Sequence, residues 1–152
     1  MSLPSYYITT PIYYVNDVPH IGHAYTTLAC DVMARFKRLD GYNVLFLTGT
    51  DEHGQKVEIA AEKSGIEPQL FTDQVSQNFR DLLPELDISN DDFIRTTEQR
   101  HKVAARVIWQ KLFDNGHIYR DKYSGWYSVR DEAYFAENEL IEGKAPTGAP
   151  VS

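Results

Sequence analysis

The chain has 152 residues, enough for one domain with a sizeable core, and its 42% apolar and 24% charged residues are ordinary for a soluble globular protein. Twenty-two acidic against 15 basic residues give a net charge of −7, the wrong sign for a dedicated nucleic-acid module. No apolar stretch reaches the roughly 18 residues of a membrane span, and the first residues lack the basic-then-apolar plan of a signal peptide, so the cytosol is the expected compartment. The single cysteine, Cys30, rules out an internal disulfide and reads as a reduced core thiol.

In chain order, Tyr6 to Thr10 is rich in aromatic and β-branched residues and is closed by Pro11, which predicts a strand and its stop. A loop from Pro11 to Pro19 follows. From Ile21 the apolar residues recur as Ile21, Tyr25, Leu28, Val32, Phe36 and Leu39, steps of three and four that predict one buried face of an amphipathic helix, with Gly41 as its stop. Val44 to Leu47 is an unbroken apolar run, expected of a strand covered on both faces in a parallel sheet. These three pieces make one βαβ unit. A right-handed crossover places the C-terminal ends of both strands at one sheet edge, where open α/β folds bind ligands. Two loops therefore converge there: one carries Tyr13, Tyr14 and Asn16 into His20 and His23, and the other runs from Thr48 to Gly54.

Further along, Gln55 to Ser64 predicts a helix ended by Gly65, and Pro68 opens another that continues to about Asp81, with Pro84 ending or kinking it. Asp92 to Arg95 predicts a short strand. Thr97 is placed to N-cap a helix from Glu98 to Asn115, stopped by Gly116, with Val103, Val107, Trp109 and Phe113 as packing residues. Arg95, Arg100, Lys102 and Arg106 read as a solvated surface in preference to a nucleic-acid face. Ile118 to Phe135 alternates aromatic and polar residues, predicting short strands or hairpins, and the Gly, Pro and Ala of Glu142 to Ser152 predict a loop or frayed end. The fold class is α/β, a Rossmann-like parallel sheet, over residues 1–115. A second part, residues 116–152, begins a smaller subdomain with short strands.

The convergent edge carries the chemistry. His20 and His23 share one side of a helix turn whose free amides add roughly half a positive charge, a setting that welcomes phosphate. Imidazoles there can donate hydrogen bonds to oxygens that gain charge during attack on phosphorus. Gly22, lacking a Cβ, lets a base or ribose lie against the backbone, or simply permits close packing. Asp51 suits an ammonium group, and equally the N-cap of the helix from Gln55. Tyr13 and Tyr14 are as suited to the core as to a ligand, and two histidines at a helix start are, on spacing alone, more often caps than catalysts.

Taken together, Pro11 to Asn16, His20-Ile21-Gly22-His23, Asp31 to Arg35, and Gly41 followed by the Thr48 to Lys56 segment resemble the N-terminal part of class I methionyl-tRNA synthetases. The His-Ile-Gly-His tetrapeptide alone marks only class I synthetases and related nucleotidyl transferases; the flanking Thr10 to Asn16 and Gly49 to Gly54 segments narrow it to the methionine enzyme. That resemblance implies attack of methionine on the α-phosphate of Mg-ATP, then transfer of the methionyl group to tRNA(Met). It implies that His20 and His23 contact the ATP phosphates as catalytic residues and that Gly22 accommodates the adenosine. Ile12, Tyr14 and Asp51 would hold methionine, Asp51 through its ammonium group.

The family's second signature, Lys-Met-Ser-Lys-Ser, is absent from this sequence. The resemblance therefore implies an amino-terminal fragment, inactive alone, that ends inside the connective insertion, with most tRNA contacts supplied by other parts. Zinc-bearing members carry a Cys-x-x-Cys knuckle where this chain has Ser128-Val129-Arg130-Asp131, and Ala145 and Gly148 stand near the expected second ligand pair, so no zinc site is expected. His101 and His117 have no ligand-like partners at knuckle spacing. Two competing readings are another class I synthetase or nucleotidyl transferase, and a non-catalytic nucleotide-binding domain. A glycine-rich dinucleotide fold is disfavoured, because the loop from Pro11 to Pro19 contains no glycine.

Overall fold

The computed structural model describes residues 3–152. They form two compact units, one extending to Ile108 and the other spanning Trp109–Ser152. The first unit is built on a parallel sheet. Its strands are β1 (Ser5–Thr9), β2 (Tyr13–Tyr14), β3 (Asn43–Asp51) and β4 (Asp92–Arg95). β3 is central: Leu47 is in register with Thr9 of β1 on one side and with Asp92 of β4 on the other. Beyond β1, β2 pairs with the end of β3, Tyr13 with Thr50 and Tyr14 with Asp51. All three pairings are parallel, so the C-terminal ends of the strands share one edge, as the βαβ reading predicts.

The crossover helix α1 spans Ile21–Leu39. Its buried residues are Thr27, Asp31 and Ala34, and this overturns the expected apolar face. Ile21, Tyr25, Leu28, Val32, Phe36 and Leu39 are all exposed, Ile21 at 85% and Leu39 at 89%. The inward side is fixed by hydrogen bonds instead: the Thr27 hydroxyl pairs with that of Tyr13 at 2.9 Å, and Asp31 accepts from the Ser89 amide and hydroxyl at 2.7 and 2.6 Å. β3 shows the same asymmetry. Phe46 is fully buried, while Leu45 and its register partner Tyr7 are 50% and 59% exposed, so the described residues cover that strand on one face only.

After β3 come α2 (Gln55–Ser64), ended by Gly65 in the left-handed conformation, and α3 (Pro68–Glu85). α3 runs past the expected end near Asp81 and takes in Pro84. A proline so near the terminus removes only one helical hydrogen bond, and the amides of Leu86 and Ile88 still close the end on the carbonyls of Leu82 and Leu83. The core is formed by Tyr13, Val15, Val57, Ala61, Phe71, Val75, Phe79 and Phe93, drawn from the β2 region, α2, α3 and β4. Helix α4 spans Gln99–Asp114 and buries none of its residues, so Val103, Val107, Trp109 and Phe113 are exposed and do not pack as expected. Thr97 does not cap it, because its hydroxyl donates to Glu52.

The second unit holds the antiparallel pair β5 (Trp126–Ser128) and β6 (Ala133–Phe135) and a 3₁₀ turn at Glu137–Glu139. Its last segment is a loop, but it is not frayed. Ser152 exchanges two backbone hydrogen bonds with Tyr127, at 3.0 and 3.1 Å, and Ala145 and Ala149 are buried.

Candidate active site

Helix α1 begins with a reciprocal cap made by two histidines. His20 is the N-cap, extended at φ −129°, and its Nδ1 accepts the Gly22 amide at 3.1 Å. The Nδ1 of His23 accepts the His20 amide at 3.1 Å in return. This is the logic of a Ser/Glu capping box carried out with imidazoles. The rings stack with centroids 3.8 Å apart. A Cβ on Gly22 would come within 3.0 to 3.1 Å of the His20 ring, so that glycine makes room for the ring to fold over the helix start. With each Nδ1 used as an acceptor, the proton of each imidazole sits on Nε2, where it can be donated.

His23 also lies against Tyr13, centroids 4.8 Å apart, and Phe79, 5.1 Å. Burial, reinforced by the neighbouring His20, holds its pKa below the usual imidazole value. Tyr13 is core: it is buried, stacks on Phe79, and burial raises its phenol pKa against the hydrogen bonds it makes. Tyr14, next in sequence, points outward and is half exposed. Alternation along β2 thus buries Tyr13 and exposes Tyr14, and both border the neighbouring cleft.

That cleft, about 430 Å³, is lined by Ile12, Tyr14, Asn16, Asp17, His20 and His23, among others. Ile12, Tyr14 and both histidines therefore meet at one opening. Asp51 and Gly22 are not among the lining residues; Asp51 sits one strand over, in register with Tyr14. Asp51 is not the cap of α2. That position belongs to Gly54 at φ +118°, and Asp51 accepts a long bond, 3.4 Å, from the His53 amide.

One feature of the site region escaped the sequence reading. Glu52 has a fully buried side chain and is paired bidentately with Arg95, at 2.6 and 2.9 Å. Arg95 also reaches Asp73 at 2.5 Å, and Arg100 is held by Asp92 and Glu98, so neither arginine is a free cation. An acidic residue followed 43 positions later by a basic one leaves no local signal. Cys30, read from the sequence as a reduced core thiol, is half-buried, and its thiol donates to the Thr9 carbonyl at 3.6 Å. Burial pushes its pKa up, the state of an inert thiol.

In the second unit, Ser128 and Asp131 stand where a metal knuckle would place two cysteines. Instead of converging on an ion they bond each other: Ser128 Oγ and Thr147 Oγ1 both donate to Asp131 Oδ2, at 2.9 and 2.5 Å, and Arg130 Nη2 donates to the Thr147 carbonyl at 2.8 Å. This donor set does not fit zinc, and among the described residues no group of three or more His, Cys, Asp or Glu side chains is arranged to hold a metal.

A parallel sheet whose strand ends face a histidine-capped helix start is an α/β arrangement suited to the phosphates of a nucleotide. The chain belongs to the family described as tRNA synthetases class I (M), which matches residues 6–150. It is 69% identical over 148 residues to a methionine–tRNA ligase of Rickettsia conorii, covering 97% of this chain and 29% of that one. Among solved structures it is similar to the Mycobacterium tuberculosis methionyl-tRNA synthetase in complex with methionyl-adenylate, with 48% identity and a TM-score of 0.89 over 99% of this chain and 30% of that one. It is more distantly similar to an Agrobacterium radiobacter LeuRS in a ternary complex with tRNA and LeuAMS, at 26% identity and a TM-score of 0.76, covering 97% of this chain and 20% of that one. The chain thus spans about three tenths of the length of its methionine-specific relatives.

Proposed function

We propose that these residues form the ATP- and methionine-binding part of a methionine–tRNA ligase, which joins methionine to AMP from Mg-ATP and passes it to tRNA(Met). The observation that carries this reading is the single cleft shared by Ile12, Tyr14, His20 and His23, with Asp51 in register beside Tyr14. His20 and His23 present Nε2 protons to the ATP phosphates and stabilise charge as the α-phosphate is attacked. Gly22 seats the adenosine, Ile12 and Tyr14 take the methionine side chain, and Asp51 pairs with its ammonium. No side chain acts as a nucleophile; the contribution is orientation and electrostatics. The similarity to a synthetase solved with methionyl-adenylate supports this assignment.

Residues 1–115 serve as the first half of the nucleotide-binding domain and 116–152 as the start of its connective insertion, with the Asp131 cluster in place of zinc. Most of the tRNA grip comes from polypeptide beyond these residues, in keeping with the net charge of −7. No helix among the described residues is long and apolar enough to cross a membrane, and the cytosol is the compartment this function suits.

The test is ATP–pyrophosphate exchange by a full-length ligase carrying these 152 residues, with methionine, leucine, isoleucine or valine supplied in turn. Exchange is expected with methionine alone. His23→Ala is expected to slow it about 10² to 10³-fold, the usual effect of losing one such donor, with little change in methionine KM. Asp51→Ala is expected to raise methionine KM. Equal loss in kcat and methionine affinity for His23→Ala would overturn the phosphate role.

A further inference from the structure

Glu52 poses a problem that its neighbours solve. Its side chain is fully buried, and a carboxylate removed from water costs several kcal/mol unless all its lone pairs are used. Here they are. Arg95 donates through Nε and Nη2, at 2.6 and 2.9 Å, Thr50 Oγ1 donates at 2.8 Å, and Thr97 Oγ1 donates as well. The Glu52 amide in turn donates to Thr96 Oγ1 at 2.8 Å. These partners come from the C-terminal ends of β3 and β4 and the turn that follows, and Arg95 extends the lattice to Asp73 on α3.

A pair of opposite charges is a poor way to add stability, since apolar residues of similar volume do as well or better. What it supplies is a fixed backbone at one place, and that place adjoins Asp51. On the opposite edge of β3 from this lattice, Asp51 is in register with Tyr14 through the two-residue pairing of β2. Side chains alternate along a strand, so Thr50 and Glu52 reach one way together, as their mutual hydrogen bond shows, while Asp51 is directed to the opposite face.

We propose that the Glu52–Arg95 pair is a positioning device that sets where Asp51 stands beside Tyr14, and thereby the affinity of the site for the substrate's ammonium group. This rests on the assignment of Asp51 to the methionine ammonium. Glu52 touches no substrate; it acts through the backbone of its neighbour. The phosphate end of the site, capped at His20 and His23, is built from α1 and shares no member with the lattice.

The experiment is steady-state exchange by the full-length ligase carrying these residues, with active sites counted by an adenylate burst so that misfolded protein drops out. Glu52→Gln preserves size but loses the charge, and Arg95→Gln removes the other half. Each is expected to raise methionine KM about tenfold or more, as an ångström-scale misplacement does, with ATP KM unchanged. Arg95→Lys keeps the charge without the planar fork and is expected to fall between wild type and Arg95→Gln. Unaltered methionine KM per active site, or methionine and ATP KM rising together, would overturn the positioning role alone. A wild-type ligase with no methionine-dependent exchange would instead overturn the reading beneath it.

Discussion

His20 and His23 use the same ring nitrogen in the same way, each Nδ1 capping a backbone amide at 3.1 Å, that of Gly22 for His20 and that of His20 for His23. The cap therefore fixes the tautomer. Both neutral imidazoles are expected to be the Nε2–H tautomer, and ¹⁵N chemical shifts in the 152-residue chain will read this directly. A δ-protonated ring at either position would contradict it.

The same geometry makes stability depend on pH. Protonating His23 at Nδ1 would replace an accepted hydrogen bond by a clash of donors, and burial with the nearby His20 already depresses its pKa. A depressed folded-state pKa means the unfolded chain takes up the proton first, below about pH 6.5. The contribution of His23 is thus complete above that pH and is lost as pH falls through the folded-state value. Melting midpoints from about pH 8 to about pH 5 should fall less steeply for His23→Asn, which offers an acceptor that does not titrate.

Asp31 behaves as an acid-labile tie between α1 and the segment leading to β4. Burial pushes its carboxyl up, but bonds from the Ser89 hydroxyl and amide and from Arg35 outweigh this and leave the pKa below the usual carboxylate value. Its stabilisation is whole above the ordinary Asp range and disappears as pH drops through the depressed value. Asp31→Ala is expected to cost about 1.5 to 3 kcal/mol at neutral pH, the scale of hydrogen bonds to a charged group, and urea unfolding will measure it. The gap from wild type should narrow in acid.

Where burial is decided by polar contacts such as these, the sequence is a poor guide. α2 matched its expected bounds, and β4 its four residues, because glycine, proline and short apolar runs mark them locally. The inward face of α1 was hidden because Thr27 and Asp31 are buried through Tyr13 and Ser89, 14 and 58 positions away. An apolar stripe at helical spacing identifies a face suited to packing, not the face packed in this chain. β2 escaped notice since two residues after a proline carry no period. The candidate site was more legible: Ile12, Tyr14, His20 and His23 follow one another from the β2 region to the first turn of α1 and meet in one cleft, whereas the Glu52–Arg95 pair bridges 43 positions with nothing local to announce it.

Gly49 is needed for space. A Cβ there would stand 2.0 Å from the Ile94 carbonyl oxygen and 2.7 Å from its Cγ2, both on the register partner in β4. Backbone of a paired strand is not free to retreat, so Gly49→Ala must prise β3 from β4 beside Thr50 and Asp51. The expected cost is about 3 kcal/mol, the upper end for overpacking, seen as a lower urea midpoint. Substitution without loss of stability would mean that β4 moves more freely than its pairing implies.

In the second unit, Asp131 does by hydrogen bonding what a metal ion would do by coordination. Thr147 and then Ser128 and Arg130 hold its carboxyl below the usual range, against the effect of burial. They join the β5–β6 hairpin to the Ala145–Ala149 turn, whose two buried alanines carry no ligand atoms. Removing metal should therefore be without effect: EDTA is expected to leave the melting curve unchanged, and no zinc should copurify at stoichiometric levels. Asp131→Ala, by contrast, should release the turn and raise amide hydrogen exchange at Tyr127 and Ser152, which bond each other beyond it. Zinc at one equivalent per chain, or exchange untouched by the substitution, would show that something other than this carboxylate holds the two turns together.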